Sequence, residues 1–163
     1  MKPFLLLATL LITLTTTASA DQTINYPEDK PIFSISFPDG WKVETGDDSV
    51  SASSADELVN MELIALEADA LGEALDLAKE SLSEELKGIK WDGEAEKGEL
   101  NGMSVAFLNA NVTLEGVKMA VNCCVFAPKK ADTFFMLFNI VPLEALEKHG
   151  EDVGKVINSV KGK

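Results

Sequence analysis

The stretch Thr133-Phe-Phe-Met-Leu-Phe-Asn-Ile-Val141 is the strongest constraint on how this chain can fold. As a strand it is apolar on both sides, with Phe134, Met136, Phe138 and Ile140 facing one way and Phe135, Leu137 and Val141 the other. Such a strand belongs in the middle of a sheet that is covered on both faces. The rest of the chain must therefore supply neighbouring strands and two covering layers.

The neighbours are readable from period-two patterns. Ile32-Phe-Ser-Ile-Ser-Phe37 alternates apolar residues with serines, as a half-buried strand does. Pro38-Asp39-Gly40 turns the chain, and Trp41 to Glu44, Ser49 to Ser54 and Val59 to Leu66 read as further strands, with a turn at Thr45 to Asp48. The first half is a meander. After a helix, Asn101-Gly102 and Glu115-Gly116 act as hairpin signals between strands at Trp91 to Lys97, Met103 to Asn111 and Val117 to Ala127. The segment Asp21 to Lys30 reads as a short polar lead-in.

The covering layers come from two helical patterns. Leu71, Leu75, Ala78, Leu82, Leu86 and Ile89 recur at helical spacing, with Glu73, Asp76, Glu80 and Glu84 facing away, Asp69 as the expected N-cap and Gly88 as the stop. Pro142 suits a first turn, and Leu143, Leu146, Val153, Val156, Ile157 and Val160 form a second apolar stripe, with a break expected near Gly150. The fold class predicted is α+β, a mainly antiparallel sheet with helices on both faces.

Met1 to Ala20 read as a cleaved secretory signal peptide: Lys2, an apolar run from Phe4 to Leu14, and Ala18-Ser19-Ala20 before Asp21. The run falls short of the roughly 20 residues that span a bilayer. Residues 21–163 then form one domain, expected to be periplasmic or secreted, without a membrane anchor. Loss of Lys2 changes the formal charge from −13 to −14, with 13 lysines against 27 carboxylates and no arginine. A chain this acidic, lacking the side chain that grips phosphates bidentately, is unsuited to nucleic acid or an anionic membrane surface. Acidity favours solubility and a monomer, and would attract a basic protein partner or divalent cations.

Phe37-Pro38-Asp39-Gly40-Trp41 after a strand, Leu71-Gly72-Glu73-Ala74 in a central helix, and Val156-Ile157-Asn158-Ser159-Val160-Lys161 closing a terminal helix together resemble the PsbP-like superfamily. That group includes an extrinsic photosystem II protein, a nuclear Ran-binding protein and many small exported bacterial proteins. The likeness covers nearly all of residues 21–163. It implies an α/β/α sandwich acting as a binding or assembly module, usually without catalysis, and it transfers no functional residue, because the matching positions are turn and packing positions.

Cys123 and Cys124 are adjacent, so on a strand they point to opposite sides. Cys123 falls with Val117, Met119, Val121 and Val125 and reads as a small core hydrophobe, whereas Cys124 falls on a more mixed face where it could meet solvent. A disulfide between them would need Cα atoms about 3.8 Å apart, shorter than the roughly 4.4–6.8 Å that disulfides prefer. The alternatives to two free core thiols are a strained vicinal disulfide, a dimer linked through Cys124, and metal binding; the first makes the pair redox candidates. No cofactor is expected. Zinc sites use spaced cysteine pairs and several histidines, and this chain has one histidine, His149, expected beside Gly150 at a helix end where it complements the dipole.

No catalytic or metal-ligating residue is assigned. There is no G-x-S-x-G elbow, and Ser104 falls on a strand rather than at a strand-to-helix turn; no phosphate loop or dinucleotide fingerprint occurs. Asp47-Asp48 and Glu94, Glu96 and Glu99 lie at turns or strand ends where calcium could bind, but without regular ligand spacing. Trp41 and Trp91 are expected to pack in the core rather than stack on carbohydrate. Asn111-Val-Thr113 matches a glycosylation acceptor relevant to a eukaryotic chain. The expectation is an exported, noncatalytic binding or assembly module, not an enzyme; the alternatives are a redox-active thiol protein and an acidic calcium-responsive module.

Overall fold

The computed structural model describes residues 21–129 and 132–163. The expected signal peptide lies outside the described residues. Strands β1 (Gln22–Tyr26), β2 (Phe33–Phe37), β3 (Lys42–Thr45), β4 (Ser49–Ser53) and β5 (Asn60–Leu66) precede helix α1 (Leu71–Glu85). Then follow β6 (Lys90–Trp91), β7 (Glu96–Leu100), β8 (Met103–Leu114), β9 (Val117–Phe126) and β10 (Phe134–Pro142). A 3-10 turn (Leu143–Ala145), α2 (Leu146–Ser159) and β11 (Lys161–Gly162) close the chain.

The large sheet has the order β3-β4-β5-β10-β9-β8-β6, with β7 also on β8, and all pairs are antiparallel. The doubly apolar strand is central, as its pattern demands: β10 lies between β5 and β9, with Phe138 opposite Glu62 and Cys123 and Leu137 opposite Leu63 and Cys124. Alternate residues feed two separate apolar clusters. One unites Leu82, Ala78, Leu75 and Ala74 of α1 with Leu108, Cys123, Val125, Met136 and Phe138. The other unites Val153 and Val156 of α2 with Cys124, Phe126, Phe135 and Leu137, and with Phe33, Ile35 and Phe37 of β2. The second cluster holds most of the aromatic contacts, including Phe33 edge-on to Phe126 at 5.4 Å.

Several boundaries differ from expectation, each for a local reason. Gln22 to Tyr26 is a strand rather than a lead-in; it pairs with β2, which also pairs with β11, giving a small sheet β1-β2-β11 that the sequence pattern hides because the inward face of β1 is Gln22, Ile24 and Tyr26, with only two apolar side chains among polar neighbours. Asp69 does not cap α1. The N-cap is Ala70, and the Glu73 carboxylate reaches back to accept the N–H of Asp69, the residue before the cap, at 2.9 Å. The strand expected at Trp91 to Lys97 is split into β6 and β7 around Gly93, whose φ of +81° suits glycine. Helix α2 runs through Gly150 without a break.

The end of α2 is tied down by side chains rather than by apolar contact alone. Ser159 Oγ accepts the Ser36 N–H at 2.8 Å, and Asn101 Nδ2 donates to the carbonyls of Asn158 (3.0 Å) and Val160 (2.7 Å). These bonds join the helix terminus to β2 and to the β7–β8 turn. The two Asn101 bonds satisfy carbonyls that a helix end leaves without intrahelical partners.

Candidate functional site

The adjacent thiols lie in different apolar clusters. Cys123 is 2% exposed beneath α1, between Leu108 and Phe138 of its flanking strands; Cys124 is 1% exposed in the other cluster, between Phe107 and Leu137. The solvent contact expected for Cys124 is therefore not found: the mixed face of β9 is covered by α2 and the small sheet, which no local pattern reveals. Both are free thiols. Burial pushes both thiols up, Cys124 to about 12, and each is the neutral form at physiological pH.

His149 also sits where the sequence reading did not put it. Because α2 is continuous, His149 lies in its first turn, 6% exposed, rather than at a helix end. Its partner is a carboxylate. His149 Nε2 lies 3.0 Å from Asp56 Oδ2, which also binds the Lys148 ammonium, while Asp56 Oδ1 accepts the Ser54 hydroxyl at 2.7 Å and the Leu58 N–H at 3.3 Å. The ammonium and the hydroxyl hold the Asp56 carboxyl well below the usual carboxylate range. This is not an activated serine: Ser54 gives its proton directly to the carboxylate, and its oxygen accepts the Val59 N–H at 3.0 Å. The group is a latch that fastens the β4–β5 loop to the start of α2.

One concave feature in which polar groups meet is a cleft of about 380 Å³ between α2 and strands β7, β8 and β9. Its helical wall is Leu146, Gly150, Val153, Gly154 and Ile157, which share one helix face; its floor includes Phe107, Asn109 and Asn122. Register produces the polar floor: Asn109 of β8, Asn122 of β9 and Asn139 of β10 lie directly opposite one another in a row. Asn122 Nδ2 donates to Asn139 Oδ1 at 2.9 Å, whereas the exposed Asn109 carboxamide has no hydrogen bond among the described residues. Each glycine stands in a helix interior, and a Cβ at either position would meet no heavy atom within 4 Å. The volume lies in the range of small-ligand sites.

A second hollow, about 290 Å³, lies over β3, β4, β5 and β10, with Lys42, Glu44, Glu62 and Glu85 around an apolar base of Met61, Phe138 and Ile140. Burial, with Glu85 nearby, pushes the Glu62 carboxyl up. Among the described residues, no three histidine, cysteine or acidic side chains form a metal-holding group. Asp47 and Asp48 occupy the β3–β4 turn, where the Tyr26 hydroxyl donates to the Asp47 carbonyl at 3.0 Å. Glu94, Glu96 and Glu99 are exposed along β7 and its approach. Ser104 lies on β8 opposite Glu99, and Asn111 Nδ2 donates to Asp92 at 2.8 Å. Trp41 packs near Phe37 in the core and Trp91 packs against the α1 cluster, as expected.

The asparagine row and the glycine wall were missed by sequence reasoning. A signal existed, since the apolar runs of the three strands are interrupted by Asn109 in β8, which also carries Asn111, by Asn122 in β9 and by Asn139 in β10. Only strand register could show that the three coincide.

No protein-family model and no curated protein sequence matches the chain. Solved structures do. The cyanobacterial PsbP (CyanoP) of Synechocystis sp. PCC 6803 is 12% identical, with a TM-score of 0.66 over 91% of this chain and 96% of that one. The Ran-binding protein Mog1p of Saccharomyces cerevisiae is 11% identical, with a TM-score of 0.60 over 89% and 96%. LpqN of Mycobacterium tuberculosis, involved in cell envelope biogenesis, is 14% identical, with a TM-score of 0.60 over 86% and 90%. In a larger Bacteroides thetaiotaomicron protein, 18% identical with a TM-score of 0.53, 80% of this chain spans only 45% of that one. At these identities the likeness speaks for architecture, and it agrees with the element order derived from the sequence: the chain has the fold of the PsbP-like superfamily.

Proposed function

We propose that this chain is an exported, noncatalytic binding or assembly module whose partner is another protein, built as a single α/β/α domain over residues 21–163 with α1 and α2 on opposite faces of the large sheet. The layering is supported by the two apolar clusters, which draw alternate residues of the same strands. The binding reading rests on one observation, the cleft beside α2. Two helix-interior glycines each cost roughly 1 kcal/mol relative to alanine, yet nothing in the chain's own packing requires them. They keep open a groove in which an amide and an aromatic ring meet an apolar wall, chemistry suited to a peptide segment of a partner. Export is supported by the leader pattern of residues 1–20, and among the described residues no helix is long and apolar enough to cross a membrane.

The test is a photo-crosslinking amino acid at position 109, introduced in cells of the native host. The expected result is one discrete protein adduct, found on a chain whose mature N-terminus is Asp21 and lost when Gly154→Leu fills the groove. Absence of any adduct, or a purified activity that one substitution abolishes, overturns the reading.

A further inference from the structure

Three large apolar side chains are exposed among the described residues: Leu58 (39%), Val117 (45%) and Leu143 (40%). They are far apart in sequence, yet all lie at one end of the large sheet. The register fixes this. Asn60, which follows the Leu58 loop, pairs with Ile140; Met119, just past Val117, pairs with Pro142; and Leu143 directly follows Pro142. The β4–β5 loop and the β8–β9 turn are thus about three strand spacings apart, roughly 14 Å, with Leu143 between them. That distance matches the apolar centre of an interface of ordinary size.

The carriers of these side chains are held in place. Asp56 fastens the Leu58 loop to Lys148 and His149 of α2, so Leu58 is presented beside the turn that carries Leu143. Val117 follows a tight turn in which Glu115 and Gly116 both have positive φ. Of the three non-glycine residues with positive φ among the described residues, Asn101 is the type that tolerates it and is used to bind the end of α2. The other two, Glu57 and Glu115, are at this end of the sheet, each next to or one residue from an exposed apolar side chain. Glutamate has no local conformational reason to be there. With Glu144 and Glu147 they put four exposed carboxylates on the rim, against Lys118 and Lys90 on the β8 flank, while Lys148 is already paired with Asp56 and Lys42, near Glu57 on the β3 edge, is paired with Glu44.

We propose that this end of the sheet docks a partner protein that presents an apolar knob flanked by lysine or arginine. An acidic rim around an apolar centre selects that chemistry, and the chain's net charge of −13 disfavours both a second copy of itself and an anionic membrane. The proposal rests on the binding-module reading but concerns a different surface from the cleft.

The experiment is amide chemical-shift mapping on the isotope-labelled protein, titrated with a synthetic peptide of interspersed leucines and lysines, with a leucine–serine peptide and phosphatidylglycerol vesicles as controls. The expected result is a set of shifts confined to the amides near Leu58, Val117 and Leu143, with affinity weakened about tenfold or more in the variant L58S/V117T/L143S. The variant should keep its thermal midpoint, because all three side chains are exposed. Undiminished binding by the variant, or shifts along the acidic face of α1, reduces the effect to unspecific charge attraction and overturns the proposal. So do equal shifts with the leucine–serine peptide or with vesicles, or no shift at all. Shifts confined to Phe107, Asn109, Asn122 and Gly154 overturn it while keeping the binding-module reading.

Discussion

Alkylation of the adjacent cysteines in the native protein should be slower than that of a free thiol by at least three orders of magnitude. Two effects of burial support this figure, one acting in the folded protein and the other on opening. The first is ionisation: with the Cys124 thiol pushed up to about 12, roughly one molecule in ten thousand carries the thiolate at pH 8, against roughly one in four for an unperturbed cysteine. Burial leaves Cys123 still less acidic. The second is access, since both side chains are at most 2% exposed and reagent must wait for the sheet to open. A domain of this size is stable by roughly 7 kcal/mol or more, so the globally open fraction is about one in a hundred thousand or less. Iodoacetamide at pH 8, followed by intact mass against time, should show no adduct in native buffer over hours and two adducts once denaturant is added, without reductant. A native adduct forming within tenfold of the rate for a model thiol peptide would refute the buried placement. A native mass short by two hydrogen atoms, restored by reductant, would refute the opposite-face strand geometry and promote the redox reading.

The helix glycines give a second prediction: Gly150→Ala with Gly154→Ala should stabilise the protein by roughly 1–2 kcal/mol, raising the thermal midpoint by about 5 °C, because the added methyls meet open space. A lowered midpoint would show that the cleft wall is closed in solution. Asp56→Ala should lower the midpoint at neutral pH by releasing the β4–β5 loop from α2. The Asp56 carboxyl is depressed in the folded state, so its contribution is full above the unfolded value of about 3.9 and fades as pH falls towards the folded one. Calorimetry should therefore show the gap between wild type and variant closing on acidification below about pH 4, and a gap independent of pH would reject the latch. Leu82→Ala, at a fully buried position of α1, should cost about 2–5 kcal/mol in urea unfolding, and a loss below about 1 kcal/mol would mean that α1 is not packed on the sheet.

Much of the architecture was legible because it is written in short-range patterns. The period-two alternation of Phe33, Ile35 and Phe37, the helical spacing of Leu71, Leu75, Ala78 and Leu82, and the Asn101-Gly102 and Glu115-Gly116 turns depend only on local backbone geometry. What failed was whatever depends on a distant partner. β1 looked like a polar lead-in because its strand character comes from pairing with β2 and only Tyr26 is fully buried. By sequence His149 reads as a helix-end residue because Gly150 reads as a breaker, whereas the packing of Val153 and Val156 carries α2 straight through it. Propensity yields when an apolar stripe continues on both sides.

The sequence by itself determined that β10 is a central strand, that the adjacent cysteines point to opposite faces, and that the chain is strongly acidic without arginine. These follow from the two-residue repeat of a strand and from counting charges. Tertiary structure alone decided that Cys124 is as buried as Cys123, and that Asp56 meets His149 and Lys148 across more than ninety residues. It also decided that Asn109, Asn122 and Asn139 form one row, and that Leu58, Val117 and Leu143 share one end of the sheet. The physical reason is common to all four: strand register and the placement of covering layers are set by the whole core at once, and no local window of sequence contains them.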